Sequence, residues 1–211
     1  MEAIAELERV QTGILRRIRK LEGSRLNGTV SRLSSILRSN GVNDFIFKSV
    51  PSDYYNWPLH ARRDALNAPS IHHLCKSIVL VNNHAPPTVT DSSNSNYSKY
   101  YIVVVQYSAK FSAEAVKNFL YALNHGNIPK KRINMRLAPE ETSIKLTGYQ
   151  HNAVTCIGMD THIPVILDEA IVKLDPPFFW LGGGEVDLKL GINTEEFISF
   201  VKPFVVSCSG N

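Results

Sequence analysis

The sequence from residue 147 to residue 191 reads TGYQHNAVTCIGMDTHIPVILDEAIVKLDPPFFWLGGGEVDLKLG, and this stretch decides the fold. It opens on a polar loop punctuated by small residues, 147–158, and closes on an aromatic segment that runs into glycine. Short apolar runs of this kind predict buried strands at 163–168, 170–174 and 178–181. The rest of the chain is interpreted as support for the surface that these segments form.

Three consecutive glycines, Gly182, Gly183 and Gly184, follow the aromatic strand. Glycine loses more backbone entropy on folding than other residues, so a run of three indicates positive φ or a close approach of the backbone to another group. Two interpretations fit this pattern. One is a glycine-rich hairpin turn, and the other is one wall of a binding pocket whose second half lies upstream.

Composition restricts the protein to a few classes. The chain has 211 residues and an apolar content of 44%, which suits one medium domain with a terminal extension. The longest apolar run, near 100–105, is too short to span a bilayer, and the acidic N-terminus does not resemble a secretory signal. The net charge of +4 permits nucleic acid as a partner without requiring it.

Three cysteines, Cys75, Cys156 and Cys208, form an odd and scattered set. This argues against a disulfide framework and for a reducing compartment, so we expect a cytoplasmic protein. His72 and His73 lie close to Cys75, but the other histidines and cysteines lack metal-ligand spacing. We therefore predict neither a metal site nor a cofactor.

The N-terminus is predicted to form a helix over 2–22, because apolar residues recur at steps of three and four and Gly23 follows as a stop signal. A break at 23–27 and a second helix over 30–39, ended by Asn40-Gly41, come next. Two interpretations remain for the basic cluster near the end of the first helix. It belongs to a solvated helix that packs one stripe on the domain, or it contacts RNA phosphates through Arg16, Arg17, Arg19 and Lys20.

The middle of the chain alternates strands and helices. Strands are predicted at 45–47, 78–81, 100–107 and 132–137, and helices at 59–66, 112–124 and 139–146. The segment 86–98 is predicted to be a mobile hairpin loop. Lys76 stands at the entrance of the strand 78–81. Tyr54, Tyr55 and Trp57 either cap the edge of the core or offer a surface on which an adenine base could stack.

This order of elements, together with three short motifs, resembles the YbaK family of aminoacyl-tRNA editing domains, which are free-standing or inserted in bacterial-type prolyl-tRNA synthetases. Lys76-Ser77-Ile78 resembles the Lys-Thr-Leu start of a central strand in that family. Thr147-Gly148-Tyr149 resembles the opening of the pocket loop, and the three glycines with Asp187 resemble the glycine-containing strand and its acidic residue. The resemblance covers about 30–206.

The chain departs from the family pattern at two places. Where the family commonly reads Gly-Gly-Val-Ser-Pro-Leu-Gly, this chain has Asn152, Ala153, Val154, Thr155, Cys156, Ile157 and Gly158. Leu181 stands where a serine often precedes the glycines. These changes predict a reshaped pocket floor and a specificity that differs from that of the usual members.

The resemblance implies hydrolysis of the ester of a mischarged aminoacyl-tRNA, with water and a ribose hydroxyl held by the pocket. Lys76 is the implied catalytic residue, holding the terminal phosphate or ribose. The implied substrate-binding residues are Gly148, Tyr149, Asn152, Ala153, Thr155, Cys156, Gly182, Gly183, Gly184 and Asp187. Cys156 as a covalent nucleophile is a sharper alternative, since a thiol is intrinsically nucleophilic, but the sequence assures it no histidine partner.

The expected fold is a single α+β domain with a mixed, mostly antiparallel β-sheet flanked by helices and preceded by a helical extension. The expected divisions are an extension at 1–28, a domain at 29–206 and a tail at 207–211. The expected partners are the acceptor end of a tRNA and an aminoacyl-tRNA synthetase, with no membrane. The alternative function is a tRNA-binding or assembly module that has kept the fold and lost hydrolysis, with the N-terminal helix as its docking element.

Overall fold

The computed structural model describes residues 2–89 and 94–210. Two β-sheets form the centre of the fold. Within the described residues, the strands are β1 Phe45–Ser49, β2 Cys75–Asn82, β3 Tyr100–Gln106, β4 Lys110–Phe111, β5 Met135–Leu137, β6 Val165–Asp168, β7 Phe178–Gly182, β8 Leu188–Asn193, β9 Phe204–Val206 and β10 Ser209–Gly210. The larger sheet has the strand order β5-β2-β3-β6-β9, and the smaller has the order β1-β8-β7. The α-helices are α1 Glu2–Ser39, α2 Leu59–Leu66, α3 Ala113–Leu123, α4 Glu140–Thr147, α5 Glu169–Val172 and α6 Thr194–Val201.

The larger sheet is mixed, as the sequence predicted. β2 pairs antiparallel with β3 and β5, whereas β3 with β6 and β6 with β9 are parallel. The smaller sheet is antiparallel throughout, and β10 pairs antiparallel with β4. The predicted α+β class, with a mixed sheet and flanking helices, is confirmed; antiparallel pairings prevail among the described strands taken together, whereas the larger sheet alone has two of each kind.

β3 lies at the centre of the larger sheet and separates two apolar cores. Its five residues from Tyr101 to Val105 are fully buried, and successive side chains point to opposite faces. Ile102 and Val104 join the core that the end of α1 and the smaller sheet cover. The alternate residues join the core that α3 covers with Val116 and Leu120. Burial on both faces explains why this strand is a continuous apolar run.

α1 is one helix of 38 residues, so the predicted break at 23–27 is wrong. A glycine inside a helix costs about 1 kcal/mol relative to alanine but does not forbid the helix, and the good helix formers Leu21, Glu22, Arg25 and Leu26 lie within three residues of Gly23. The predicted stop at Asn40-Gly41 is confirmed. Gly41 has φ +82°, and the Val42 amide bonds to the Leu37 carbonyl at 3.0 Å.

The two halves of α1 lie in different surroundings. Near its C-terminal end Leu33 and Leu37 are fully buried in the core. The N-terminal half instead exposes a stripe of large apolar side chains, each between 43% and 71% exposed: Ile4, Leu7, Val10, Ile14, Leu15 and Ile18. None of these side chains belongs to the apolar clusters that the described residues form.

Some predicted elements differ from those observed. The segment 170–174 was predicted to be a strand but begins with the short helix α5, because the Asp168 carboxylate caps the Ala170 amide at 2.9 Å. β5 starts later than predicted, after a 3₁₀ turn at 130–132. The predicted tail also contributes a strand, β10.

The other predicted helices agree well with the structure. α2 has the predicted bounds, and α3 is capped by Ser112, whose side chain accepts from the Ala115 amide. The buried residues of α3 are Val116 and Leu120, each one position after Ala115 and Phe119 of the predicted apolar face. In the connection between β2 and β3, predicted to be a mobile loop, residues 90–93 lie outside the described part of the chain. No helix in the described ranges is both long and apolar enough to cross a membrane.

Candidate active site

A cleft of about 370 Å³ opens at the first half of β2. Four parts of the chain line it: β2, the helix α4 with the residues before it, the loop that follows α4, and two tyrosines with the end of β7. The lining residues are Lys76, Ser77, Ile78 and Val79; Leu137, Ala138, Glu140, Ser143 and Ile144; His151, Asn152 and Val154; and Tyr55, Tyr107 and Gly182. The cleft therefore brings the predicted Lys76, Asn152 and Gly182 together.

Lys76 is the second residue of β2, because the strand begins at Cys75, three residues before the predicted start at residue 78. Its side chain is half-buried, and Nζ lies 5.6 Å from the centroid of the Tyr107 ring. Next to it, the Ser77 hydroxyl is buried and has no hydrogen-bond partner among the described residues. The cleft thus contains the cation of Lys76, and the next residue of the strand, which faces the other way, has a buried hydroxyl without a described partner.

The glycine run allows β7 to lie against the loop after α4. A Cβ on Gly182 would come within 2.2 Å of the Val154 carbonyl oxygen, so any larger residue would displace the loop. Gly184, at φ +90°, donates its amide to the Ala153 carbonyl at 3.1 Å. Gly183 bonds to the Leu188 carbonyl at 3.0 Å and closes the β7–β8 turn. The run is both a hairpin turn and, at Gly182, a wall of the cleft.

Tyr149 and Gly148 shape the loop from outside the cleft. The Tyr149 hydroxyl donates to the Ile157 carbonyl at 2.6 Å and accepts from Arg32 of α1 at 3.0 Å. Burial raises the pKa of this phenol. Gly148 ends α4 at φ +76°. Both residues hold the backbone of the loop in place rather than lining the cavity.

Ala153, Thr155 and Cys156 belong to the loop after α4, but their side chains are buried and do not line the cleft. Burial raises the pKa of the Cys156 thiol to about 12, so it is protonated at neutral pH. A protonated thiol is a poor nucleophile. Asp187 is also outside the cleft, where its carbonyl accepts from the Val50 amide at 2.8 Å.

The family model of the aminoacyl-tRNA editing domain matches residues 64–200, which include every element that lines the cleft except Tyr55. The chain belongs to the aminoacyl-tRNA editing domain family. The resemblance inferred from the sequence is thereby confirmed. None of the curated proteins matches the chain.

Solved structures show the same fold at low sequence identity. A crystal structure of a protein proposed to be a trans-editing enzyme for prolyl tRNA synthetase matches with a TM-score of 0.66 and 17% identity, over 87% of this chain and 98% of that chain. A scaffold protein from computational epitope grafting matches with a TM-score of 0.64 and 14% identity, over 87% and 97%. The hypothetical protein APE2540 matches with a TM-score of 0.62 and 14% identity, over 84% and 98%.

This editing domain also contains site residues that the sequence did not reveal. Lys189 of β8 is 4% exposed and donates a hydrogen bond to the Tyr55 hydroxyl, which in turn donates to the Asn152 carbonyl. Arg62 of α2 lies 5.5 Å from the ring centroids of both Tyr55 and Tyr107. The sequence had marked Tyr55 as part of a stacking surface, but a lysine between two leucines in a strand normally indicates a solvent-facing position.

Two groups of residues from the sequence lie away from the cleft. Arg17 is exposed on α1, and the side chains of Arg16, Arg19 and Lys20 lie outside the described residues. His73 is buried and bonded to the Ser70 hydroxyl at 2.9 Å, and burial lowers its pKa. No cluster of three potential metal ligands occurs in the ranges 2–89 and 94–210.

Proposed function

We propose that this editing domain acts in trans and hydrolyses the ester that links an amino acid to a mischarged tRNA. The observation that carries the proposal is the convergence of Lys76, two tyrosine rings and the loop 151–154 on one cleft. Membership of the editing family and the fold shared with a protein proposed to edit for prolyl tRNA synthetase support it. The volume of the cleft, about 370 Å³, lies within the usual range of small-molecule sites.

Each wall of the cleft has a role in this proposal. Lys76 holds the terminal phosphate or ribose of the acceptor end by its charge. Tyr55 and Tyr107 offer ring faces to the terminal adenine, since base–aromatic stacking contributes about 1–3 kcal/mol per base. The loop at Asn152 and Val154, backed by Gly182, bounds the aminoacyl group. Thr155 and Cys156 act on specificity indirectly, because their buried side chains set the position of that loop.

The chemistry requires no strong nucleophile. An aminoacyl ester is an activated substrate. In enzymes generally, positioning the reactants and stabilising the developing oxyanion lower the activation barrier by several kcal/mol, on the order of 3 kcal/mol for a single oxyanion donor. The free ribose hydroxyl beside the ester takes part, as the family resemblance implies. The high pKa of Cys156 is consistent with this route and disfavours a covalent thioester.

A deacylation screen tests the proposal. The purified full chain is incubated with a panel of mischarged aminoacyl-tRNAs, and the loss of the labelled amino acid is followed under single-turnover conditions. We expect at least one ester to be hydrolysed faster than in buffer, and Lys76→Ala to slow that reaction. If no member of the panel is hydrolysed faster than in buffer, the hydrolytic function is refuted.

The partner is the acceptor end of a tRNA, and an aminoacyl-tRNA synthetase that produces the mischarged species is the further partner. In this proposal a further attraction to the phosphates of the same tRNA, independent of its sequence, comes from Arg16, Arg17, Arg19 and Lys20.

We also propose that the extension ends near residue 28 and that the domain runs from 29 to 206, because Leu33 and Leu37 already belong to the core.

The exposed stripe on α1 favours a second candidate function, an assembly module without hydrolysis. We propose α1 of a second copy as its partner. Glu2, Glu6 and Glu8 lie in the first turns of α1, and Arg16, Arg17, Arg19 and Lys20 lie further along it. An antiparallel pair brings the first turns of one helix towards the middle turns of the other, so the exposed Glu8 of one copy and the exposed Arg17 of the other can attract each other.

The oligomeric state tests this pairing. Sedimentation equilibrium of the full chain should give a dimer that dissociates on dilution, and Leu7→Glu with Ile14→Glu should give a monomer. Val205→Glu changes an exposed apolar residue of β9 and serves as the control. A monomer at every concentration would refute self-pairing, and a deacylation rate unaffected by the double substitution would separate assembly from hydrolysis.

A further inference from the structure

Lys189 is a buried amine in the middle of a sheet. It is the second residue of β8, the central strand of the smaller sheet. Its partners across the ladder are Lys48 on β1 and Gly182 on β7. Residues paired in this way project from the same face, so Lys189 extends on the face where Gly182 meets the loop after α4.

The surroundings of Lys189 connect it to the cleft by hydrogen bonds. Its Nζ lies 5.2 Å from the ring centroid of Tyr54 and 4.2 Å from that of Tyr55. It donates to the Tyr55 hydroxyl, and the Tyr55 hydroxyl donates to the Asn152 carbonyl. Two consecutive hydrogen bonds therefore join the central strand of the smaller sheet to the loop that forms one wall of the cleft.

The charges around Lys189 do not neutralise it. Among the described residues no carboxylate forms an ion pair with its Nζ. Burial is the main cause that lowers its pKa to about 7, the Arg62 guanidinium lowers it further, and Asp187 opposes both. The titratable or charged groups near Lys189 and the cleft are Lys48, Tyr54, Tyr55, Arg62, Lys76, Tyr107, Glu140, His151 and Asp187.

We propose that Lys189 is a positioning residue of the cleft, which holds the Asn152 carbonyl through the Tyr55 hydroxyl and so places the loop wall that bounds the aminoacyl group. That the ligand beside this wall is an aminoacyl group rests on the proposed function. The hydrogen-bonded link from Lys189 to the loop is independent of that function.

The proton on Lys189 decides the direction of this link. An ammonium group has three donors and no acceptor, so the Tyr55 hydroxyl accepts from it and directs its own proton to the Asn152 carbonyl. A neutral amine has a lone pair that can accept the Tyr55 proton instead, and the Asn152 carbonyl then loses its donor. The loop wall is therefore held more firmly when Lys189 is protonated.

Nuclear magnetic resonance tests the link without any substrate. The Ala153 nitrogen is bonded to the Asn152 carbonyl carbon, so its amide resonance in the labelled full chain reports the hydrogen bond to that carbonyl. Over about pH 5.5–8.5 we expect this resonance to titrate in the wild type and to be nearly constant in Lys189→Met. His151→Gln is needed as a control because imidazoles titrate in the same range. A titration that survives in Lys189→Met but disappears in His151→Gln overturns the link.

Hydrolysis tests the positioning role. Tyr55→Phe keeps the ring that lines the cleft and removes only the hydroxyl. We expect Tyr55→Phe and Lys189→Met to change the ratio of single-turnover rates for alanyl-tRNA and valyl-tRNA by about tenfold and to remove its pH dependence near neutrality. Lys130→Met, which removes an exposed lysine 5.0 Å from the Tyr121 ring centroid, should leave the ratio unchanged.

The outcomes separate this proposal from the proposed function. If the Ala153 resonance responds as expected and neither ester is hydrolysed, the hydrolytic function fails and the link from Lys189 to the loop stands. If both esters are hydrolysed with the same ratio and the same pH profile in all variants, the positioning role is overturned and the hydrolytic function stands.

Discussion

At the scale of single residues, Lys76 is the decisive test of the candidate site. It is the cation of the cleft, and a small misplacement of the ester beside it would be costly. Lys76→Ala should lower single-turnover hydrolysis by about ten- to a thousandfold, or roughly 1.4 to 4 kcal/mol of transition-state stabilisation. Arginine should rescue poorly, because its planar fork differs from a compact ammonium.

The control for Lys76 is a second lysine in a similar setting outside the cleft. Lys99 is also half-buried, and its Nζ lies 5.8 Å from the Tyr100 ring centroid. Lys99→Ala should leave the rate unchanged, and both variants should keep the free energy of unfolding within about 1 kcal/mol of the wild type. Wild-type hydrolysis by Lys76→Ala would remove the residue from the mechanism, and unfolding of that variant would make its role structural.

Cys156 is expected to affect specificity rather than chemistry. Its buried thiol has a pKa raised to about 12 and does not line the cleft. Cys156→Ala should therefore change the relative rates for small and large aminoacyl groups while keeping measurable hydrolysis of the best substrate. Complete loss of activity with the fold intact, as judged by circular dichroism, would restore the nucleophile interpretation.

Lys189 should make stability depend on pH in a defined direction. Its folded-state pKa is lowered from 10.5 to about 7, so between these values the unfolded chain binds more protons than the folded one. The free energy of unfolding then rises with pH across that window, and the cost of burying the charge is fully present below it. Lys189→Met should remove this slope and stabilise the protein at pH about 6 by roughly 1 to 4 kcal/mol, the range for replacing buried charges by packed apolar groups.

Chemical denaturation at several pH values measures this effect, with Lys130→Met as the exposed-lysine control. A Lys189→Met protein that is less stable than the wild type at pH about 6 would show that the amine contributes more through its hydrogen bond to Tyr55 than it costs by burial.

At the scale of elements, α1 allows a test of the proposed contact with RNA. The basic residues in its middle turns are expected to attract phosphates without sequence preference, at about 1 kcal/mol or less each. Removing residues 1–24 should weaken tRNA binding modestly and flatten its dependence on salt. Filter-binding titrations at several salt concentrations measure both, and an unchanged salt slope would show that this helix does not touch RNA.

At the scale of the whole molecule, the end of α1 is part of the domain and its beginning is not. Leu33 and Leu37 are fully buried, and Arg32 bonds to the Gly158 carbonyl at 3.0 Å. A chain that begins at residue 25 should therefore unfold at nearly the same temperature as the full chain. A chain that begins at residue 40 should lose several kcal/mol, because each buried leucine contributes about 2–5 kcal/mol by truncation measurements. Equal thermal stability of the two shortened chains would refute the proposed boundary near residue 28.

The sequence alone determined most of the element pattern, because that pattern depends on local periodicity. The apolar run of β3, the Ser112 cap of α3 and the Asn40-Gly41 stop of α1 each act within a few residues, and the structure confirms all three. Local signals also misled at Gly23 and at 170–174. In the first case the helix tolerates a glycine, and in the second the Asp168 cap begins a helix where the apolar run had indicated a strand.

The sequence also placed Lys76, Asn152 and Gly182 in one candidate site, because the order of several short motifs along the chain resembles that of the editing family. Only the tertiary structure decided that Gly148, Tyr149 and Cys156 shape the loop without lining the cleft. It also decided that Lys189 of the smaller sheet and Tyr55 of the 3₁₀ turn at 54–56 reach this loop. A lysine between leucines looks solvent-facing in sequence. Whether Lys189 is buried depends on the segment that packs over its face of the sheet. That segment carries Tyr55, which is 134 residues away from Lys189 along the chain. Burial and hydrogen bonding between such distant residues are properties of the folded chain, so no local pattern encodes them.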